Sequence, residues 1–165
     1  MKSLFLLLFA VLASCSENSK SFSSVDEAKS KLQRIVESGD EGELKLYTDL
    51  SNVPNRVLTE IGTALKSCSC HIDKLKLVEV RVLDDEAYSA YCVEEHEKIP
   101  KAIRHLFNER PTWNRKPHQY LVYSYSNPDD ASPGTNFDIT FGLLREESRW
   151  RVATGYYPEK SNKSP

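Results

Sequence analysis

Past Ser24, apolar residues return at helical intervals: Val25, Ala28, Leu32, Ile35 and Val36 share one side of a 3.6-residue period, with polar residues between them. Ser24 and Glu27 stand at capping-box spacing, in which the serine hydroxyl accepts an early backbone N–H and the glutamate reaches back, while Gly39 supplies a stop. An amphipathic helix is predicted there. A shorter helical stretch is expected over 41–50, with Leu44, Tyr47 and Leu50 on its apolar side. Pro54 suits the first turn of a third helix, where a missing N–H costs nothing, and Val57, Leu58, Ile61, Ala64 and Leu65 form its stripe to an end near Ser67.

The period then shortens to two. Val78, Val80 and Val82 alternate with Leu75, Leu77 and Leu83, which predicts a strand; Asp84-Asp85-Glu86 reads as a turn and 87–94 as the returning strand of a hairpin. Ile99, Ala102, Ile103 and Leu106 predict a short inserted helix over 97–108, followed by a loop at 111–117. Residues 119–126 are tyrosine-rich and strand-like, 127–134 form a loop, and Phe137, Ile139, Phe141 and Leu143 alternate along a strand. Glu146-Glu147-Ser148 turns that strand back, so that Trp150 and Val152 answer across a final hairpin. Helices followed by antiparallel strands imply an α+β domain with the N-terminal helices packed on one face of a sheet.

Ahead of the domain the chain has a different character. Met1-Lys2, an apolar run over 3–13 and no acidic residue before Glu17 make a charged n-region, a short h-region and a small-residue cleavage site. The apolar core of that run is about half of the roughly 20 residues needed to cross a bilayer. Leu12-Ala13-Ser14-Cys15 resembles the lipobox of bacterial lipoproteins. The resemblance implies cleavage before Cys15, a diacylglycerol on its sulfur and a further acyl chain, such as palmitate, on the new amine. Multiple chains anchor stably where one gives marginal binding. Ser16 in place of an aspartate implies the outer membrane, with the domain facing the periplasm. The expected organisation is a signal peptide over 1–14, a lipidated tether over 15–23, one domain over 24–158 and a flexible tail over 159–165.

Removing 14 of the 165 residues leaves 151, enough for one core. Lys2 leaves with the leader, turning 22 Lys and Arg against 24 Asp and Glu into 21 against 24, a net charge of −3. Such a balance gives no reason to expect a nucleic-acid partner.

Two N-terminal helices, a hairpin, an interruption and a last hairpin ending Ser148-Arg149-Trp150-Arg151-Val152 resemble the nuclear-transport-factor-two-like cone fold over 22–158. That kinship implies a curved sheet wrapped around a helix, with an open mouth that often forms a pocket. The helix expected over 97–108 departs from the simplest version and is placed to crowd that mouth.

Cys15 is assigned to lipid. In an oxidising periplasm Cys68, Cys70 and Cys92 can form one internal disulfide, expected between Cys92 and either Cys68 or Cys70. Cys68-Ser69-Cys70-His71 also has the ligand types for copper(I) or zinc, but zinc sites draw on two such clusters, and no metal or cofactor is assigned. Glu94-Glu95-His96-Glu97 lacks the second histidine of a zinc-protease helix. Enzymes of the cone family often place an aspartate and a histidine or tyrosine in the pocket for proton transfer. Asp138 and His118, with Tyr120, Tyr123 or Tyr125 nearby, are the residues that could meet there; no catalytic role is assigned, and the balance is against an enzyme.

The leading site lies in the basic segment. Lys98, Lys101, Arg104, Arg110, Arg115 and Lys116 face only Glu109 in charge, with His105, Trp113 and His118 interleaved. Arg104, Arg110, Trp113, Arg115 and Lys116 are the candidates for phosphate or carboxylate groups, as on lipid A or peptidoglycan, or for a periplasmic protein. The expected function is therefore a lipid-anchored, non-catalytic binding domain. A small-ligand pocket or acid/base enzyme of the cone type is the alternative, and a thiol or metal carrier the third.

Overall fold

A computed structural model describes residues 19–102, 104, 111–127 and 137–156. The expected signal peptide, Cys15 and the tail over 159–165 lie outside the described residues.

Helix α1 (Val25–Ser38) begins where predicted. The Ser24 hydroxyl accepts the Glu27 N–H at 3.1 Å, and the Glu27 carboxylate accepts both the N–H and the hydroxyl of Ser23 at 2.6 Å, one residue earlier than a standard capping box. Gly39, at φ +67, closes the helix by donating its N–H to Ile35 O. Helix α2 (Glu41–Tyr47) is capped by Asp40, and α3 (Asn55–Ile72) starts after Pro54 and runs five residues past the expected end near Ser67. Val57, Leu65 and Ile72 are its buried apolar residues.

Strand β1 (Lys76–Leu83) leads into the main departure from expectation. Residues expected to return as a hairpin strand form helix α4 (Asp85–Lys98). Asp84 Oδ1 accepts the Ala87 N–H at 2.8 Å, Asp85 and Glu86 sit in the first turn, and His96 and Lys98 sit in the last, so charges oppose the helix dipole at both ends. An Asp-Asp-Glu run serves a turn or a helix start equally well, and here it starts a helix. Ile99, extended at φ −70 and ψ 130 ahead of Pro100, ends α4. The separate helix expected to begin at Glu97 is thus not formed over 99–102, and most of its remainder lies outside the described residues.

Strands β3 (Gln119–Ser126), β4 (Phe137–Glu146) and β5 (Arg149–Ala153) complete an antiparallel sheet in the order β1-β3-β4-β5, while β2 (Thr112–Trp113) pairs with β6 (Gly155–Tyr156). Alternation divides the sheet's faces. Leu121, Tyr123 and Tyr125 of β3, opposite Phe141, Ile139 and Phe137 of β4, join Leu32, Ile35, Val36, Leu44 and Leu65 of the first three helices in one core. Tyr123 Oη donates to Lys29 O on α1 at 2.7 Å. The other face carries Tyr120, Ser124, Asp138 and Thr140, and α4 lies against it, its Tyr88 stacked on Tyr120 with centroids 3.8 Å apart. Helices therefore cover both faces of the sheet, not one as expected.

The domain also begins earlier than the boundary at Ser24. Phe22, expected in a polar tether, is fully buried; it exchanges backbone hydrogen bonds with Trp150 and stacks on Tyr47 at 4.4 Å. A lone aromatic in a serine-rich run has no period to betray it, but β5 offers it an unpaired neighbour.

Candidate functional site

Strand β5 pairs with β4 only from Gly142 onward, because the chain leaves β5 at Thr154 to pair with β2. Among the described residues, the first half of β4 consequently has no strand on its outer side. A cavity of about 400 Å³ opens around this edge. Ile61, Leu65 and Cys68 of α3 form one wall, Tyr88 of α4 and Trp113 of β2 another, and Asp138 and Thr140 on β4 bring polar groups to it.

Trp113 reaches that position because two glycines clear its path. A Cβ on Gly142 would stand 2.8 Å from Trp113 Cζ3, and one on Gly155 would stand 3.0 Å from the same atom. The indole meets Tyr120 edge-on at 5.8 Å, continuing the aromatic series to Tyr88.

The polar pole is centred on Asp138. Tyr91 Oη donates to its Oδ2, and Arg81 Nη2 lies 3.8 Å from the same oxygen while also donating to Ser124 Oγ at 3.2 Å. The Arg81 guanidinium sits 4.5 Å from the centre of the Tyr91 ring, adding a cation–π contact. Asp138 Oδ1 is buried and, among the described residues, has no hydrogen-bond partner. Burial first, then the hydrogen bond to Asp138, push the Tyr91 hydroxyl well above the ordinary tyrosine range, so it remains a proton donor. Burial and the nearby Asp85 carboxylate push Tyr120 up to about 12. Burial likewise pushes the Cys68 thiol up, away from the thiolate that nucleophilic chemistry needs.

Next to Trp113, Asn114 ties the loop after α2 to the end of β5. Its Nδ2 donates to Asp49 O and Ser51 O, at 2.9 and 3.1 Å, and its Oδ1 accepts the Thr154 N–H at 2.9 Å. The Asp49 carboxylate beneath accepts the Ser51 N–H and pairs with Arg115 at 3.4 Å. Burial alone would raise this carboxyl, but the Ser51 hydrogen bonds, Arg151 and Arg115 outweigh it and hold the group below its ordinary 3.8. A lowered folded value means that the stabilisation is complete above the unfolded value and is lost as pH falls through the folded one. Asp49→Asn is therefore expected to flatten the loss of stability below about pH 4, read as a shallower dependence of melting temperature on acidity. An unchanged acid slope would remove Asp49 from that role.

The residues singled out from sequence divide sharply. Asp138 and Trp113 both reach the cavity. His118 does not meet Asp138: it sits beside Leu143 and Arg145, accepting the Arg145 N–H on Nδ1, whereas Asp138 pairs with Ser124, about 20 Å further along β3 at roughly 3.3 Å per residue. Tyr123 and Tyr125 belong to the opposite face. The basic candidates do not form one surface of free cations. Arg104 donates to Glu97 O and Ile99 O behind α4, Arg115 joins Asp49 and Glu146, and Lys116 pairs with Asp85 at 2.7 Å. Arg110 and His105 lie outside the described residues. The disulfide expected at Cys92 is not formed in the structure: Cys68, Cys70 and Cys92 are all free, and only Cys68 lines the cavity. The His71 ring packs against the Phe137 ring, with centroids 4.9 Å apart. Among the described residues no group of three or more His, Cys, Asp or Glu side chains is gathered for a metal.

Sequence reasoning missed Tyr91 and Arg81. Tyr91 shares a face with Tyr88 and Glu95 only once the segment is helical, and spacings of three and four were the available signal. Comparison of the chain with known protein families, curated proteins and solved structures finds no match.

Proposed function

We propose that this chain is a lipid-anchored protein of the bacterial envelope, held by Cys15 in the outer membrane, whose periplasmic domain binds a small apolar ligand in the cavity beside β4. The lipobox supports the anchor. The observation that carries the binding role is a largely apolar cavity of about 400 Å³ whose lining brings in a few polar side chains, Asp138 and Thr140 of β4 among them. Small-molecule sites have this character: apolar walls, a few placed polar groups and volumes of about 300–1,000 Å³.

Binding is favoured over catalysis because Cys68 is held as a thiol, Tyr91 as a phenol, and His118 is remote from Asp138. The antiparallel sheet with helices and a lateral cavity supports kinship with the nuclear-transport-factor-two-like cone, although α4 on the second face departs from the expected layering. A basic face for lipid A or peptidoglycan has less support, since Arg104, Arg115 and Lys116 already have carbonyl or carboxylate partners. The anchored domain would sit close to the membrane: from Cys15 to Lys20 an extended chain reaches at most about 18 Å.

The test joins both halves. The intact mass of membrane-extracted protein is expected to match an acylated chain beginning at Cys15, and Cys15→Ala to abolish that mass. A neutral fluorescent dye, Nile red, is expected to bind the chain from Ser16 onward, which keeps every described residue, and Ala64→Trp to weaken it at least tenfold by obstructing the cavity. Unlipidated mass overturns the anchor; dye binding untouched by Ala64→Trp overturns the cavity.

A further inference from the structure

We propose that the ligand of this cavity is a short extended segment of another protein, apolar at alternate positions, which joins the outer edge of β4 as an added strand. The inference rests on the ligand-cavity reading and names the class of ligand.

The direction of the backbone groups follows from the final hairpin. Glu146 and Arg149 are partners across its two-residue turn, so they exchange backbone bonds, and such pairs recur at every second position of an antiparallel ladder. Leu144 with Arg151 and Gly142 with Ala153 come next. Leu143, between them, faces the other way and accepts the His118 N–H on the β3 side at 2.8 Å. Continued along the strand, the same alternation turns the N–H and C=O of Thr140 and Asp138 away from β3, to the edge that β5 has left. Among the described residues no strand or side chain takes up these backbone groups. They can be reached from the cavity. Phe137, Asp138, Ile139 and Thr140 are all part-exposed, although their side chains alternate between two helix-covered faces, whereas Phe141 to Leu144, where β5 arrives alongside, are buried. Exposure that ignores the alternation comes through the edge.

The walls suit a strand. Ile61 and Leu65 of α3 bound the cavity on the core face of the sheet, Tyr88 and Trp113 on the other. A strand laid between them sends successive side chains alternately to the apolar wall and to the aromatic one. A compact apolar molecule would cover the same walls but shut the edge N–H and C=O groups from water without partners, which is costly. An extended chain offers donors and acceptors at the repeat of β4 and so meets both demands. That repeat is regular here, since β3 and β4 pair from Tyr125 and Phe137 to Gln119 and Leu143 without a register shift. From Phe137 to Phe141 the edge runs about 14 Å, enough for about four added residues. The chain's own continuation after Tyr156, Tyr157-Pro158-Glu159-Lys160, has a proline and two charges in place of apolar alternation, which favours a segment from another protein.

The probe is the neutral pentapeptide acetyl-Thr-Val-Thr-Val-Thr-amide, expected to displace Nile red from the chain from Ser16 onward. Two further forms read the mode of binding, one N-methylated on both valines and the other on the last two threonines. Because an added strand turns every second N–H to its neighbour, one form is expected to lose at least about tenfold in competition and the other less than about threefold. Thr140→Pro removes an edge N–H at a position where a strand tolerates proline, and is expected to weaken binding of the unmethylated peptide, followed by calorimetry, at least about tenfold. If that variant does not fold, the methylation pattern on the wild-type chain decides. Equal losses from both methylated forms, no displacement of bound dye, or undiminished peptide binding by a folded Thr140→Pro overturns the added strand and leaves the cavity reading standing. Failure of Nile red and the peptide alike to bind overturns both.

Discussion

Phe22→Ala is expected to lower stability by about 3–5 kcal/mol, the range for emptying a buried aromatic site, and to depress the thermal midpoint by on the order of 10 °C in a domain of this size. The side chain is fully buried, stacked on Tyr47 and flanked by reciprocal backbone bonds to Trp150, so the variant loses ring contacts in the middle of the core. A chain starting at Ser24 is expected to be less stable still than the point variant, because it also gives up the backbone bonds from Lys20 to Leu46 and between Phe22 and Trp150. Thermal unfolding followed by circular dichroism makes the comparison with a chain starting at Ser19. A loss below about 1 kcal/mol for Phe22→Ala would mean that the segment does not dock on β5.

Gly142→Ala should act through Trp113. The added Cβ would come 2.5 Å from Pro117 Cγ and 2.8 Å from Trp113 Cζ3, and both neighbours are rings with no flexible end to swing aside. Overpacking of this kind costs about 1–3 kcal/mol, more than alanine returns by restricting the unfolded chain. The indole is expected to yield, with a changed Trp113 emission and weaker Nile red binding, because it forms a wall of the cavity. Trp113→Phe separates its emission from that of Trp150. Unchanged fluorescence and stability would show that the glycine is not needed for the ring's position.

The elements legible in the sequence are those with one buried and one solvated face. Helix α1 writes that asymmetry into a clean period, whereas β3, buried on both faces, is legible from its tyrosine and β-branched content instead. Helix α4 writes no such period: none of its residues is fully buried, its contacts to the sheet include only scattered side chains such as Asp85, Tyr88 and Tyr91, and its acidic start mimics a turn. With that segment read as a strand, the tyrosine that completes the Asp138 site has no reason to point toward it. Trp113 stands out in the sequence for its basic neighbours, yet its place is set by Gly142 and Gly155, which lie far away in sequence and carry no side chain to signal the contact. The basic residues look like a site along the chain because their acidic partners, Asp49, Asp85 and Glu146, come from three other segments.

Strand β1 ends the sheet on the side away from β5, and its pairing with β3 is broken by a register shift between Leu77 and Glu79, with Val78 protruding there. Such an irregularity, with Lys76, Glu79 and Arg81 along the same strand, spoils the straight row of donors and acceptors that a second strand would need. For molecules confined to a membrane plane, as the proposed anchor would make them, encounters between like edges become frequent and similarly oriented. The kink in β1 is then a safeguard for life at high surface density: neighbours can collide without stitching their sheets into a common ribbon.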